Sequence, residues 1–176
     1  WKRPDSWLAD YNKLLQWYLN NEIKQLVHHN TKLHIIGDVA RFSTSIQNGL
    51  SKALEETQNC TGLNLVLALN YGARDEITMA MQTIAKQIQD KIITISEITN
   101  EIVSQSLYTK GMPDPDLLIR TSGEQRISNY LLWQIAYSEF KFTHKLWPDY
   151  TAKDFAADVL EYQKRDRRYG QYTDAE

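Results

Sequence analysis

The chain has 176 residues, 42% of them hydrophobic, with a net charge of −2 and a pI near 6.1. That length suffices for one globular domain with a sizeable core, and the balanced charge excludes a global attraction for nucleic acid, so any basic site must be local. No apolar run approaches the roughly 20 residues that span a bilayer, and the one cysteine, Cys60, cannot form an intrachain disulfide, which suits a reducing cytoplasm.

With no internal repeat, low-complexity tract or Pro/Gly-rich linker, residues 1–176 read as a single domain. Asp5 or Ser6 can cap a helix running to about Asn30, whose apolar positions Leu8, Tyr11, Leu14, Leu15, Tyr18, Leu19, Ile23 and Leu26 recur at helical spacing. Residues 32–37 (KLHIIG) read as a short strand and 43–58 as a second helix, closed by the turn at Thr61-Gly62. Residues 63–70 (LNLVLALN) are apolar on both faces, as a central parallel strand is. A third helix is predicted over 74–90, with a shorter one after Ser96. Residues 116–120 (DLLIR) form a strand entered through Pro113-Asp114-Pro115, 130–137 a helix, and 139–143 a last strand. Thr151, with Asp154 three residues on, opens the final helix as a capping box does. Strands alternating with helices predict an α/β fold, a mostly parallel central sheet flanked by helices.

The chemistry lies in the loops that leave the strands. The first strand ends in Gly37-Asp38 with Arg41 nearby, the second in Asn70-Tyr71-Gly72-Ala73-Arg74-Asp75-Glu76, the third in Arg120-Thr121-Ser122-Gly123-Glu124-Gln125-Arg126. Open parallel sheets bind ligands at the carboxyl ends of their strands. Glycines, hydroxyls and arginines gathered there suit an anion, above all a phosphate. Arg120 and Arg126 each offer a planar fork of donors. Thr121, Ser122 and Ser128 add hydroxyls, and Gly123 lets backbone N–H groups approach. On chemistry alone a surface loop with two solvated arginines explains this segment equally well. No GxxxxGK[ST] loop occurs anywhere, which argues against nucleotide hydrolysis of that type.

The run DLLIRTSGEQRISNYLLWQIAYSE at residues 116–139 resembles the long signature of the undecaprenyl diphosphate synthases, within the cis-prenyltransferase family. Ile36-Gly37-Asp38, Asn70-Tyr71-Gly72 and Leu146-Trp147-Pro148-Asp149-Tyr150 agree in order, and Trp1-Lys2-Arg3-Pro4 resembles the end of the family's Phe-Ser-x-Glu-Asn-Trp-x-Arg-Pro element. The resemblance implies a homodimeric, Mg2+-dependent enzyme. It would condense isopentenyl diphosphate onto an allylic diphosphate of the farnesyl type with cis geometry, giving a long-chain product such as undecaprenyl diphosphate for a cell-wall lipid carrier. By the same resemblance, Trp1, Arg3, Arg120, Arg126, Ile127 and Ser128 bind substrate and Glu139 helps to place Mg2+. A cytoplasmic enzyme touching the membrane peripherally, for product release, would suit such a product. The family's Met-Asp-Gly-Asn-Gly-Arg-Trp-Ala element is not in these residues. The catalytic aspartate and asparagine, with an N-terminal strand, are therefore expected upstream of Trp1, and the 176 residues alone are expected to be inactive. Ala73 also stands where the family more often has a second glycine.

Other features point to no chemistry. His28 and His29 are helix neighbours that diverge, and His34 and His144 lack ligand-spaced partners. Leu63, Leu65, Leu67 and Leu69 could line a tunnel for the growing chain, but ordinary core packing explains each of them. Lys164, Arg165, Arg167 and Arg168 close the last helix, where cations complement its dipole. Two rival readings stay open: a non-catalytic subunit or fragment supporting a complete cis-prenyltransferase, and a phosphate-binding α/β enzyme of another type.

Overall fold

A computed structural model describes residues 5–167, with side chains from Leu8 onward. The chain divides into two compact units, Trp1–Tyr71 and Gly72–Glu176.

The first unit opens with α1 (Asp5–Asn21) and α2 (Ile23–His28). The single helix expected from the periodicity is therefore broken at Glu22, and Asn30, at φ 52, turns the chain into β1 (Lys32–Ile36). A hydrogen bond from Thr31 N to Leu26 O at 2.8 Å closes that turn. α3 (Thr44–Thr57) starts on Ser43, whose hydroxyl accepts from Ile46 N, and leads to β2 (Asn64–Ala68). β1 and β2 run parallel, from Lys32 opposite Asn64 to Ile36 opposite Ala68. Leu15, Ile46, Leu50 and Leu69 form one buried apolar cluster, and Ile23, Leu33 and Ala53 a second. Leu65 and Leu67 pack against these clusters while Leu63 is exposed, so Leu65, Leu67 and Leu69 serve as core. Buried Thr57 fastens α3 to β1: its hydroxyl donates to Ala53 O at 2.9 Å and accepts from Leu33 N at 3.2 Å.

The second unit contains α4 (Ala73–Gln89), α5 (Asn100–Gln105), β3 (Leu117–Arg120), β4 (Glu139–Phe142) and α6 (Ala152–Tyr162). β3 and β4 are also parallel, from Leu117 opposite Glu139 to Arg120 opposite Phe142. Both strand pairs thus follow the α/β, parallel pattern expected from sequence. The Thr151–Asp154 capping box forms at the start of α6. Residues 130–137 do not form the expected helix but a series of turns. Leu131 sits at φ 46, a left-handed value that no right-handed helix includes. Among the described residues no helix is long and apolar enough to cross a membrane.

Candidate functional site

The carboxyl ends of β3 and β4 are laced together by backbone hydrogen bonds. Thr143 N donates to Arg120 O at 2.9 Å, Ser122 N to Lys145 O at 2.7 Å and Gly123 N to Thr143 O at 2.8 Å. Ser122 and Gly123 both take φ 70, and a side chain on Gly123 would come 3.0 Å from His144 Nδ1. This tight turn folds the next residues back over the end of β3. Arg120 Nη1 then donates to Ser128 Oγ at 3.1 Å and to the carbonyl of Arg126. Three predicted site residues are thereby brought together, with half-buried Ile127 between two of them. The Arg126 guanidinium pairs with Glu124 on the surface, where its side chain is 64% exposed. So exposed a pair contributes little in water, and a phosphate can exchange with it at small cost.

Ser128 (φ 48) and Asn129 (φ 62) are successive left-handed residues. Asn129 reaches the start of α4, where its backbone carbonyl accepts from Ala73 N and its side-chain Oδ1 from Arg74 N, both at 2.9 Å. Gly72, the residue before that helix, has no side chain to cap it. The methyl of Ala73 is wholly buried, so the departure from the family's second glycine faces packing.

In the first unit, the loops after β1 and β2 exchange bonds of their own. Asp38 N donates to Asn70 O at 3.3 Å, and Asn70 Nδ2 donates to Asp38 O at 3.0 Å. Arg41 pairs with the Asp38 carboxylate at 3.1 Å. Gly37, at φ 106, permits this closeness, since a Cβ there would lie 2.2 Å from Leu69 O.

Glu139 is placed elsewhere. It opens β4 opposite Leu117, whereas Arg120 closes β3 opposite Phe142. Three residues of strand, about 10 Å, separate the two along the sheet. The Glu139 carboxylate accepts from Arg165 Nη1 at 3.0 Å, and Arg165 also binds Phe140 O at 3.0 Å and Glu161 at 2.8 Å. Glu161 pairs in turn with Lys141, Lys141 with Asp158 at 3.4 Å, and Asp158 accepts from Tyr150 Oη at 2.7 Å. Hydrogen bonds from Arg165 and Lys141 hold the Glu161 carboxyl down at about 2, and desolvation with the Asp158 bond pushes the Tyr150 phenol up to about 12. Among the described residues no three His, Cys, Asp or Glu side chains cluster as a metal site. A lone carboxylate is a suitable hard donor for Mg2+, yet within one chain Glu139 does not meet the Arg120 end of the strands.

Trp1 and Arg3 lie outside the described residues, as does Arg168. Arg165 and Arg167 are ion-paired, to Glu139 and Glu161 and to Asp116 respectively. His28 and His29 stand exposed, ring against ring, and His34 bonds Asn64 Oδ1 at 2.8 Å. Sequence reasoning passed over Glu76, a fully buried carboxylate that accepts from Tyr108 N at 2.8 Å and from Gln134 Nε2 at 3.2 Å. Its signal was the spacing: Ala73, Glu76, Ala80 and Ile84 share the buried face of α4.

A family model described as "Putative undecaprenyl diphosphate synthase" matches residues 1–170. The isoprenyl transferase of Clostridium tetani is 46% identical over 170 residues, which are 97% of this chain and 67% of that protein. A ditrans,polycis-undecaprenyl-diphosphate synthase of Pasteurella multocida, named as specific for (2E,6E)-farnesyl diphosphate, is 45% identical over 97% of this chain and 71% of its own. Among solved structures, lavandulyl diphosphate synthase of Lavandula x intermedia in complex with dimethylallyl diphosphate superposes with a TM-score of 0.93. It is 33% identical, over 97% of this chain and 74% of that one. A probable undecaprenyl diphosphate synthase from Campylobacter jejuni gives a TM-score of 0.84 at 32% identity, over 97% and 78%.

Proposed function

Because the chain belongs to the undecaprenyl diphosphate synthase family of prenyltransferases, we propose that it serves cis-prenyl chain elongation from isopentenyl diphosphate and a farnesyl-type allylic diphosphate. A carbon–carbon bond forms between the terminal methylene of isopentenyl diphosphate and the first carbon of the allylic chain. The bond from that carbon to its diphosphate oxygen breaks, inorganic diphosphate leaves, and a proton is lost from the isopentenyl unit. The product is a longer polyprenyl diphosphate, undecaprenyl diphosphate being the reading favoured by the relatives' names.

The observation that carries this is the turn at the end of β3. Arg120, the backbone of Arg126 and the Ser128 hydroxyl meet there at hydrogen-bond distance. The Arg120 guanidinium beside a hydroxyl presents donors to a diphosphate, and the exposed Arg126 guanidinium, exchanging Glu124 for phosphate, would add a second fork and offset more of its charge. Arg120, Arg126, Ile127 and Ser128 are accordingly assigned to isopentenyl diphosphate, with Trp1 and Arg3 assigned to the same substrate on the resemblance alone. All these residues belong, in the same reading, to one domain over 1–176, supported by the single family match across 1–170.

A homodimer and Mg2+ belong to the same proposal. Among the described residues β4 pairs only with β3. Phe140 and Phe142, stacked at 6.1 Å, are each 37% exposed on it. A second copy meeting that strand about a two-fold axis perpendicular to it would run antiparallel, so the Glu139 end of one copy would face the Arg120 end of the other. A carboxylate supplied in that way suits a hard cation on a diphosphate. Peripheral contact with a membrane stays with the proposal on the apolar nature of the product.

Isothermal titration with isopentenyl diphosphate tests the assignment. Arg120→Ala should weaken binding by about 2 kcal/mol or more, of the order found for one charge-assisted donor. In the full-length enzyme, isopentenyl diphosphate incorporation into product should fall in parallel. Affinity unchanged in both Arg120→Ala and Arg126→Ala would overturn the assignment.

A further inference from the structure

We propose that Asn129 is a positioning residue for isopentenyl diphosphate: it fastens the turn that carries Ser128 to the first turn of α4 and so sets where Ser128 and Arg120 present their donors. The proposal rests on the diphosphate reading of Arg120 and Ser128 and adds a residue that does not itself contact the diphosphate.

Four observations converge on Asn129. Its carbonyl and its Oδ1 take the amide hydrogens of Ala73 and Arg74, both at 2.9 Å, from 55 residues beyond Arg74 in sequence. These are the first-turn donors that no helix satisfies internally, and a cap from the preceding residue is ruled out by Gly72. Asn129 and Ser128 both occupy the left-handed region, at φ 62 and φ 48, which asparagine tolerates better than other side-chain-bearing residues. Ser128 Oγ accepts from Arg120 Nη1 at 3.1 Å. Gly72, finally, makes room for the Asn129 amide: a Cβ at 72 would lie 2.9 Å from Nδ2 and 3.0 Å from Asp75 Oδ2.

With its amides at 73 and 74 already bound, the start of α4 acts as an anchor. The substrate-facing residues lie on the far side of that anchor, in a backbone conformation that relaxes if the anchor is lost. A shift of about 1 Å in such a turn is enough to misplace a reacting group.

Four variants, made in the full-length enzyme, test this by calorimetric titration with isopentenyl diphosphate, by steady-state KM and kcat, and by thermal unfolding. Titrations are run in about 0.3 M salt to screen added charge. Asn129→Ala removes the side-chain bond and the tolerance for the left-handed region. It should weaken isopentenyl diphosphate about 10-fold and raise that KM, leaving the KM of the allylic diphosphate alone. Gly72→Ala, which crowds the Asn129 amide without touching Ser128, should act in the same direction and decides the matter if Asn129→Ala does not fold. Asn129→Asp keeps an acceptor for Arg74 N and should bind between Asn129→Ala and the unaltered protein, with Arg74 amide exchange still slow. If Arg120→Ala weakens binding while Asn129→Ala and Gly72→Ala do not, Asn129 is only a structural cap and the proposal fails. If Asn129→Asp binds as poorly as Asn129→Ala with Arg74 still protected, the amide touches the ligand directly and the positioning role is overturned. Unchanged binding in Arg120→Ala would instead remove the diphosphate reading beneath it.

Discussion

The two units of this chain are held together by different physics. In the first, the interior is mostly hydrocarbon, Leu15, Leu50, Leu69 and Ile46 in one cluster and Ile23, Leu33 and Ala53 in the other, with buried Thr57 bonded between α3 and β1. In the second, the buried groups include Glu76 and Gln134, and a run of ion pairs from Glu139 through Arg165, Glu161 and Lys141 to Asp158 ties β4 to α6. Non-directional burial tolerates small displacements, whereas hydrogen bonds and ion pairs fail with distance and angle. The unit with the signature run is thus the one whose shape depends on direction. Such a scaffold suits the diphosphate site proposed above, whose donors must keep a fixed direction.

Substitutions and acid break that comparison to different degrees, and segment-resolved hydrogen exchange on the whole chain reads both units at once. Glu76→Ala strands Tyr108 N and one of the two Gln134 Nε2 hydrogens, the other staying on Thr109, and should cost about 4 kcal/mol, with α4 and α5 losing protection first. Leu50→Ala empties part of a cluster in which Leu50 is 3% exposed, for about 3 kcal/mol, and should loosen α3 and β1. If it loosened α6 equally, the contrast between the units would be void. Thr151→Ala removes the hydroxyl that accepts from Asp154 N and should lower stability by about 1 kcal/mol, seen as faster exchange at the start of α6.

Acid has the smallest effect per group. The carboxyls of Glu161 and Asp154 are held below their ordinary 4.5 and 3.8, Glu161 at about 2, chiefly by hydrogen bonds from Arg165 and from Lys145. A lowered folded-state pKa contributes stability above the ordinary value, and that contribution is lost as pH falls through the folded value. Protection factors in α6 should therefore hold above pH 4.5 and fall towards pH 2, ahead of those in α3. Simultaneous loss in both helices would contradict the division.

Local rules were enough for much of the fold. Ser43 and Thr151 start α3 and α6 as their hydroxyls predict, and the apolar runs at 32–36 and 64–68 pair in parallel. They failed at residues 130–137, where an apolar, helix-like composition gives way to turns. Leu131 is left-handed there, and the aromatic and polar groups find tertiary partners, Trp133 on Ser104 at 3.0 Å and Gln134 on Glu76 and Thr109. The break at Glu22 was equally illegible, because the periodicity runs through it unchanged.

For the site, the order of residues in 116–139 by itself pointed to the family, and the proposed roles of Arg120, Arg126 and Ser128 came from that resemblance, since their chemistry alone fits a solvated loop equally well. Only the tertiary structure decided which groups meet. Proximity depends on strand register and on where a turn folds back. The turn after β3 brings Ser128 onto Arg120, the parallel register leaves Glu139 at the opposite end of its strand, and the left-handed pair at 128 and 129 carries a cap to a helix 55 residues away.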